Sequence, residues 1–216
     1  MMSSPIYTSS HVKMAVIELC RKFGYKDWLV VYHKIVKAYA KPRRYYHTLN
    51  GHIEKCLGVL QKLQGHIEDL DAVMAELLLH DGIMEFGSPD NDDRSAEWAS
   101  KLLAEIGAPE KFCFKVATGI LNHKHTEIPN SQDGCFGVDI DLIIMGAPHW
   151  EWVRCEKNIR QESALVLEEV FRARRAKILK RFLARPSIYT TEYFRKKYEI
   201  QAGRNLKWSI LKLSGK

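Results

Sequence analysis

Apolar residues recur at intervals of three and four along almost the whole chain, and no stretch alternates over the length of a strand. Val12, Val16, Leu19, Cys20 and Phe23 form the first such stripe, which Gly24 ends. A second helix is predicted from about Trp28 to Tyr39, stopping at Pro42, and a third from near His52 with Ile53, Cys56, Leu57 and Leu60 inward. The fourth runs from about Leu70 to Met84. The loop Phe86-Gly87-Ser88-Pro89-Asp90-Asn91 follows, and Asp92 or Asp93 then caps a fifth helix reaching about Ile106. Pro109 opens a sixth that runs to Leu121. Beyond the turn-rich segment from Pro129 to Gly134, the pattern predicts a short helix ending at Gly146-Ala147-Pro148 and a long one from about Trp150 to Leu183. Two small helices, near Glu192 to Tyr198 and Arg204 to Leu213, complete it. The class is therefore all-α, with no internal repeat.

The fourth helix carries the chemistry. Its apolar run Ala75-Glu76-Leu77-Leu78-Leu79 ends in His80-Asp81. An ionised Asp at the end of such a run is costly unless something pairs with it, and an adjacent imidazole and carboxylate are natural ligands for a divalent cation. The plainer alternative is a helix end where Gly82 terminates the helix and both side chains reach water. His52 lies 28 residues upstream, and Asp139 and Asp141 open an apolar run downstream.

Composition sets the bounds. With 216 residues, 46% of them apolar, the chain can bury one core, and no stretch approaches the roughly 20 apolar residues of a membrane span. Met1-Met2-Ser3-Ser4-Pro5 lacks a charged region followed by an apolar one, so no secretory signal is expected and the cytoplasm is the default location. Five scattered cysteines, none in a Cys-x-x-Cys pair, argue against a disulfide framework or a zinc knuckle. Charge is asymmetric: residues 171–216 hold 14 Lys and Arg against two Glu, whereas residues 1–170 hold 19 basic and 24 acidic residues. Such a basic end can contact nucleic acid, but its charges alternate with Phe171, Ile178, Leu179, Phe182 and Leu183 at helical spacing. A solvated face on a packed helix explains them equally well, and nucleic acid is the less favoured partner.

The order His, His-Asp, distant Asp resembles the HD superfamily of metal-dependent phosphohydrolases. From about residue 25 onward the chain resembles one bacterial family of predicted HD-type phosphohydrolases. The matching pieces are Pro42-Arg43-Arg44-Tyr45-Tyr46-His47-Thr48-Leu49, His52-Ile53, Leu79-His80-Asp81, Asn91-Asp92-Asp93-Arg94-Ser95-Ala96, Asp139-Ile140-Asp141-Leu142-Ile143-Ile144-Met145-Gly146, Ile159-Arg160-Gln161-Glu162 and Phe182-Leu183-Ala184-Arg185-Pro186-Ser187-Ile188-Tyr189. Two departures stand out. The family usually spaces its upstream histidines one residue closer than His47 and His52, and usually has Glu where this chain has Asp92 and Asp93. The resemblance implies an HD-domain-like helical bundle over residues 1–216, with a core from about 25 to 183 and a basic helical extension from about 184 to 216.

The resemblance further implies a metal set of His52, His80, Asp81 and one downstream carboxylate. Residues 139 and 141 differ by about 200° around a helix, so both cannot face inward. Asp141, directly before Leu142-Ile143-Ile144, is preferred as the ligand, with Asp139 as a cap or supporting acceptor. Mixed nitrogen and oxygen donors suit a divalent ion such as Mn, Fe, Co, Ni, Zn or Mg. The implied activity is hydrolysis of a small phosphate ester or a nucleotide by metal-activated water. Arg44 and Arg94, with Arg160 behind them, are candidates for stabilising phosphoryl charge. Asp93 or Asp92 is the candidate proton-transfer group, against a reading as a helix cap. His47 could approach the substrate or stay outside the site. Asn122-His123-Lys124-His125 keeps open a binuclear iron oxygenase of the HD type, against an exposed polar loop. A non-catalytic nucleotide-binding HD protein is a third reading. The oligomeric state is not legible.

Overall fold

The computed structural model describes residues 10–215; the segment Met1 to Pro5, read for targeting signals, lies outside them. Among the described residues the chain forms helices and no strands. It divides into two compact units, Met1–Lys124 and His125–Lys216.

The first unit is built around one helix. It contains α1 (Ser10–Lys22), α2 (Trp28–Tyr39), a π-helical turn (Leu49–Ile53), α3 (Glu54–Leu63), a 3-10 turn (Gln64–His66), α4 (Leu70–Leu79), α5 (Asn91–Glu105) and α6 (Glu110–Asn122). Every residue of α4 from Ala72 to Leu79 is buried, because α1, α3, α5 and α6 all pack on it. A helix apolar on all sides has no solvent face to orient it, so its ends do that work. Asp69 caps the start, its carboxylate accepting from the Ala72 amide at 3.2 Å and from Lys115 at 2.7 Å. The helix ends at Leu79, not near Met84 as its apolar pattern predicts. Gly82 follows against the Trp98 indole, so close that a Cβ there would lie 2.1 Å from the ring.

The second unit contains α7 (Gln132–Asp141), a 3-10 segment (Leu142–Gly146), α8 (His149–Glu162), α9 (Glu168–Leu183) and α10 (Glu192–Leu213). Here α10 is central and packs on α8, α9 and the 3-10 segment. Asn205 donates to the Met145 and Ala147 carbonyls at 2.8 and 2.9 Å, and Trp152 donates to Ser209 Oγ at 2.9 Å. The basic residues beyond 184, expected as an extension, lie largely in α10 within this unit.

Three further helix boundaries differ from the sequence expectation. The long helix from Trp150 to Leu183 is two helices, broken over Ser163-Ala164-Leu165-Val166-Leu167 without a Gly or Pro. Arg160 satisfies the break by donating to the Ser163 and Val166 carbonyls. Conversely, the two small C-terminal helices are one continuous α10, since Ala202, Asn205 and Leu206 are buried around Gly203 and packing outweighs its poor helix propensity. Finally, α7 starts inside the turn-rich segment, because Ser131 Oγ accepts from the Gly134 amide at 3.0 Å. Asp139 therefore lies near the end of a helix rather than opening one.

Candidate metal centre

His80 and Asp81 follow the last residue of α4, and His52 is the fourth residue of the π-helical turn preceding α3. All three side chains are buried, so the reading in which His80 and Asp81 reach water does not hold. Their donor atoms converge. His52 Nε2 is 3.3 Å from His80 Nε2, and Asp81 Oδ2 lies 3.3 Å from His80 Nε2 and 3.7 Å from His52 Nε2. Three points with those separations lie on a circle of radius about 2 Å, the bond length of a divalent metal to nitrogen or oxygen. These residues could hold a metal ion.

Two further observations fit an ion. Asp81 Oδ2 is fully buried and accepts no hydrogen bond, a costly condition for a carboxylate oxygen unless something outside the chain satisfies it. His80 Nδ1 lies 3.0 Å from the Leu77 carbonyl, and donation there leaves the Nε2 lone pair directed at the other two donors. Burial alone would push the Asp81 carboxyl up; when the His80, His47 and His52 rings are protonated they outweigh it and hold it well below the usual carboxylate range.

A second layer holds these donors in place. The His123 ring stacks on His80, with centroids 4.4 Å apart and planes 18° apart, and its Nε2 is 2.9 Å from Glu76 Oε1. Glu76 precedes His80 by one turn of α4, so the two project from the same side. Room for its carboxylate comes from Gly119 on α6, where a Cβ would sit 2.2 Å from Glu76 Oε2. On the other side, Tyr46 packs on His52 with centroids 4.9 Å apart, and His47 lies 5.9 Å from the same ring.

Arg44 is buried and stacks on Tyr39 at 4.8 Å. It donates to the Gly82 carbonyl at 3.1 Å and the His47 carbonyl at 3.2 Å, so it ties the loop ahead of His52 to the residue after Asp81. Its neighbour Arg43 has φ +68°, a strained backbone that this anchoring stabilises.

The other candidates are placed differently. Helix α5 begins at Asn91, so Asp92 and Asp93 lie in its first turn, and neither is its cap residue. Asp93 pairs with Lys124 at 2.6 Å, and Arg94 with Glu85 at 2.5 Å, all near the surface. In the second unit Arg160 serves the break after α8 and pairs with Glu168. Asp139 is buried and fully engaged, accepting from the amides and hydroxyls of Thr190 and Thr191 at 2.7 to 3.0 Å. Its role is to pin the chain entering α10 to α7. Asp141 instead meets His125 Nε2 at 3.0 Å, and the His125 carbonyl accepts from Arg185.

Sequence reasoning missed the pairing of Glu76 with His123. His123 was expected in an exposed loop or as an extra ligand; it is buried at the end of α6 against Glu76, which overturns the exposed loop and leaves it among the residues that could hold an ion. The signal was present: Glu76 is the one charge inside the run Ala75 to Leu79, four residues before His80. No family model, curated protein or solved structure matches the chain.

Proposed function

We propose that the protein is a metal-dependent phosphohydrolase of the HD type, acting on a small phosphate ester or a nucleotide. The observation that carries this reading is the buried Asp81 Oδ2, which has no hydrogen-bond partner and faces two imidazole nitrogens at bonding spacing for a shared dication. Held there, a divalent ion would acidify a water and polarise a phosphoryl oxygen. His52 and His80 would serve as neutral nitrogen donors and Asp81 as the anionic one. The Leu77 carbonyl fixes the His80 tautomer, and Arg44 fixes the approach of the two chain segments. Asp141 as the remaining ligand, Arg94 at the developing phosphoryl charge and Asp92 or Asp93 in proton transfer follow from the family resemblance alone.

The test loads the purified protein with Mn, Fe, Co, Ni, Zn or Mg in turn and measures bound metal and phosphate release over a panel of nucleotides, cyclic nucleotides and sugar phosphates. His80→Ala and Asp81→Asn are expected to lose bound metal and phosphate release together while helix content is kept. Turnover equal to the parent in both variants, at equal metal content, sinks the assignment. Two irons per chain with oxygen consumption would instead identify the oxygenase, and metal binding without turnover of any substrate class the non-catalytic protein. Asp141→Asn and Asp93→Asn separate the remaining roles: the first should weaken metal binding, and the second should lower turnover at unchanged metal content.

A further inference from the structure

We propose that the second unit docks on anionic lipid surfaces through the break between α8 and α9 and the outer face of α9. This inference is independent of the metal centre. The break presents Leu165 and Leu167 at 81% and 77% exposure, two leucines within three residues of a turn that no described part of the chain covers. The next residues extend this tip into a cationic stripe. Val170, Arg174, Lys177 and Arg181 fall within about 60° of one line along the helix, and all are exposed. Leu179 and Phe182, on the opposite side, are the buried residues of α9 and fix which side faces outward. Ile178, 40% exposed, flanks the stripe. Arg174, Lys177 and Lys180 have no ion-pair partner among the described residues, whereas Arg172 and Arg175 are engaged by Glu168 and Glu156. Glu169 is the acidic residue on the edge of this face.

An apolar tip continuous with a basic stripe matches the division of a membrane interface, where leucines enter the acyl boundary and cations meet the headgroups. Nucleic acid would satisfy the cations but leave both leucines in water.

The test uses the full chain with vesicles of phosphatidylcholine alone or with about 30% phosphatidylglycerol, read by flotation. Binding to the anionic vesicles and weak binding to the neutral ones is expected. Leu165→Ser with Leu167→Ser should weaken it at least tenfold. Arg174→Glu with Lys177→Glu and Arg181→Glu should abolish the preference for anionic lipid, each cation near the surface being worth about fivefold. On the unaltered protein, vesicles should slow amide exchange over residues 163–170. Absent binding, equal binding to neutral vesicles, protection confined to other segments, or no loss in the leucine variant overturns the proposal. So does tight RNA binding without vesicle binding, or a dimer in solution that the leucine variant dissolves.

Discussion

Adding one methyl group at Gly119 tests the layer behind the metal centre. A Cβ there would lie 2.2, 2.6 and 3.0 Å from Glu76 Oε2, Cδ and Cγ, distances at which the carboxylate must move. Glu76 cannot simply swing into water, since it is buried among the fully packed residues of α4 and held by His123. Two opposing effects set the sign. Gly→Ala in a helix interior gains about 1 kcal/mol in propensity. Against it stand about 1–3 kcal/mol for losing the buried hydrogen bond between Glu76 and His123 and about 1–3 kcal/mol for overpacking. The expected result for Gly119→Ala is net destabilisation by about 1–5 kcal/mol, a fall in melting temperature of about 2–20 °C for a chain of this size. Gly203→Ala supplies the internal control: it is the same chemical change within α10, where a Cβ meets nothing within 4 Å. It should stabilise by up to about 1 kcal/mol. Thermal melts followed by circular dichroism give both signs. Because His123 also backs the His80 ring, Gly119→Ala should weaken metal affinity as well, measured by titration calorimetry. A melting temperature at or above the parent's would refute the claim that Gly119 exists to admit the Glu76 carboxylate.

Asp139→Ala should destabilise the second unit by about 2–4 kcal/mol, because two amides and two hydroxyls of Thr190 and Thr191 lose their acceptor; urea melts monitored by tryptophan fluorescence check it, and a change below about 0.5 kcal/mol would refute the pinning role. The Asp69 carboxyl is held below its usual range: burial opposes this, but Lys115 and the Ala72 amide outweigh it. A depressed folded-state pKa stabilises above the unfolded value, near 4, and that contribution disappears as pH falls through the folded value. Asp69→Ala should therefore cost about 1 kcal/mol at pH 7 and progressively less toward pH 3 in paired urea melts. Arg44→Lys should lower metal affinity while retaining charge, since an ammonium cannot span the Gly82 and His47 carbonyls and stack on Tyr39 as the guanidinium does. Equal affinity in the lysine variant would leave the bridge without consequence for the centre.

What was legible in the sequence follows from how local each cause is. Helices α1, α2, α3 and α6 announce themselves through periodic apolar faces and nearby Gly or Pro, and their expected limits differ from the observed ones by a few residues at most. The demand of His80 and Asp81 for a partner was readable because polar residues ending an apolar run are costly when left alone, whereas the convergence of His52 on them was implied by the family resemblance. Elsewhere the decisive contacts are remote in sequence. The break after α8 has no Gly or Pro, and Arg160 supplies its stabilising bonds; α10 continues through Gly203 because its neighbours are buried. The choice between Asp139 and Asp141 was open to periodicity, whereas the structure engages every oxygen of Asp139 with Thr190 and Thr191, some fifty residues away. The Arg44 guanidinium, expected at phosphate, also reaches a distant partner that its local sequence does not announce, the Gly82 carbonyl.

The solitary oxygen of Asp81 also links heat resistance to ion supply. A cation held in the space before it would bind the folded chain and have no equivalent niche on the unfolded one, so its free concentration should raise stability logarithmically, by about 2.7 kcal/mol at a hundredfold excess over the dissociation constant, and the melting point with it. Supplying divalent ions one at a time and ranking the thermal shifts would then order them by affinity before any substrate is known.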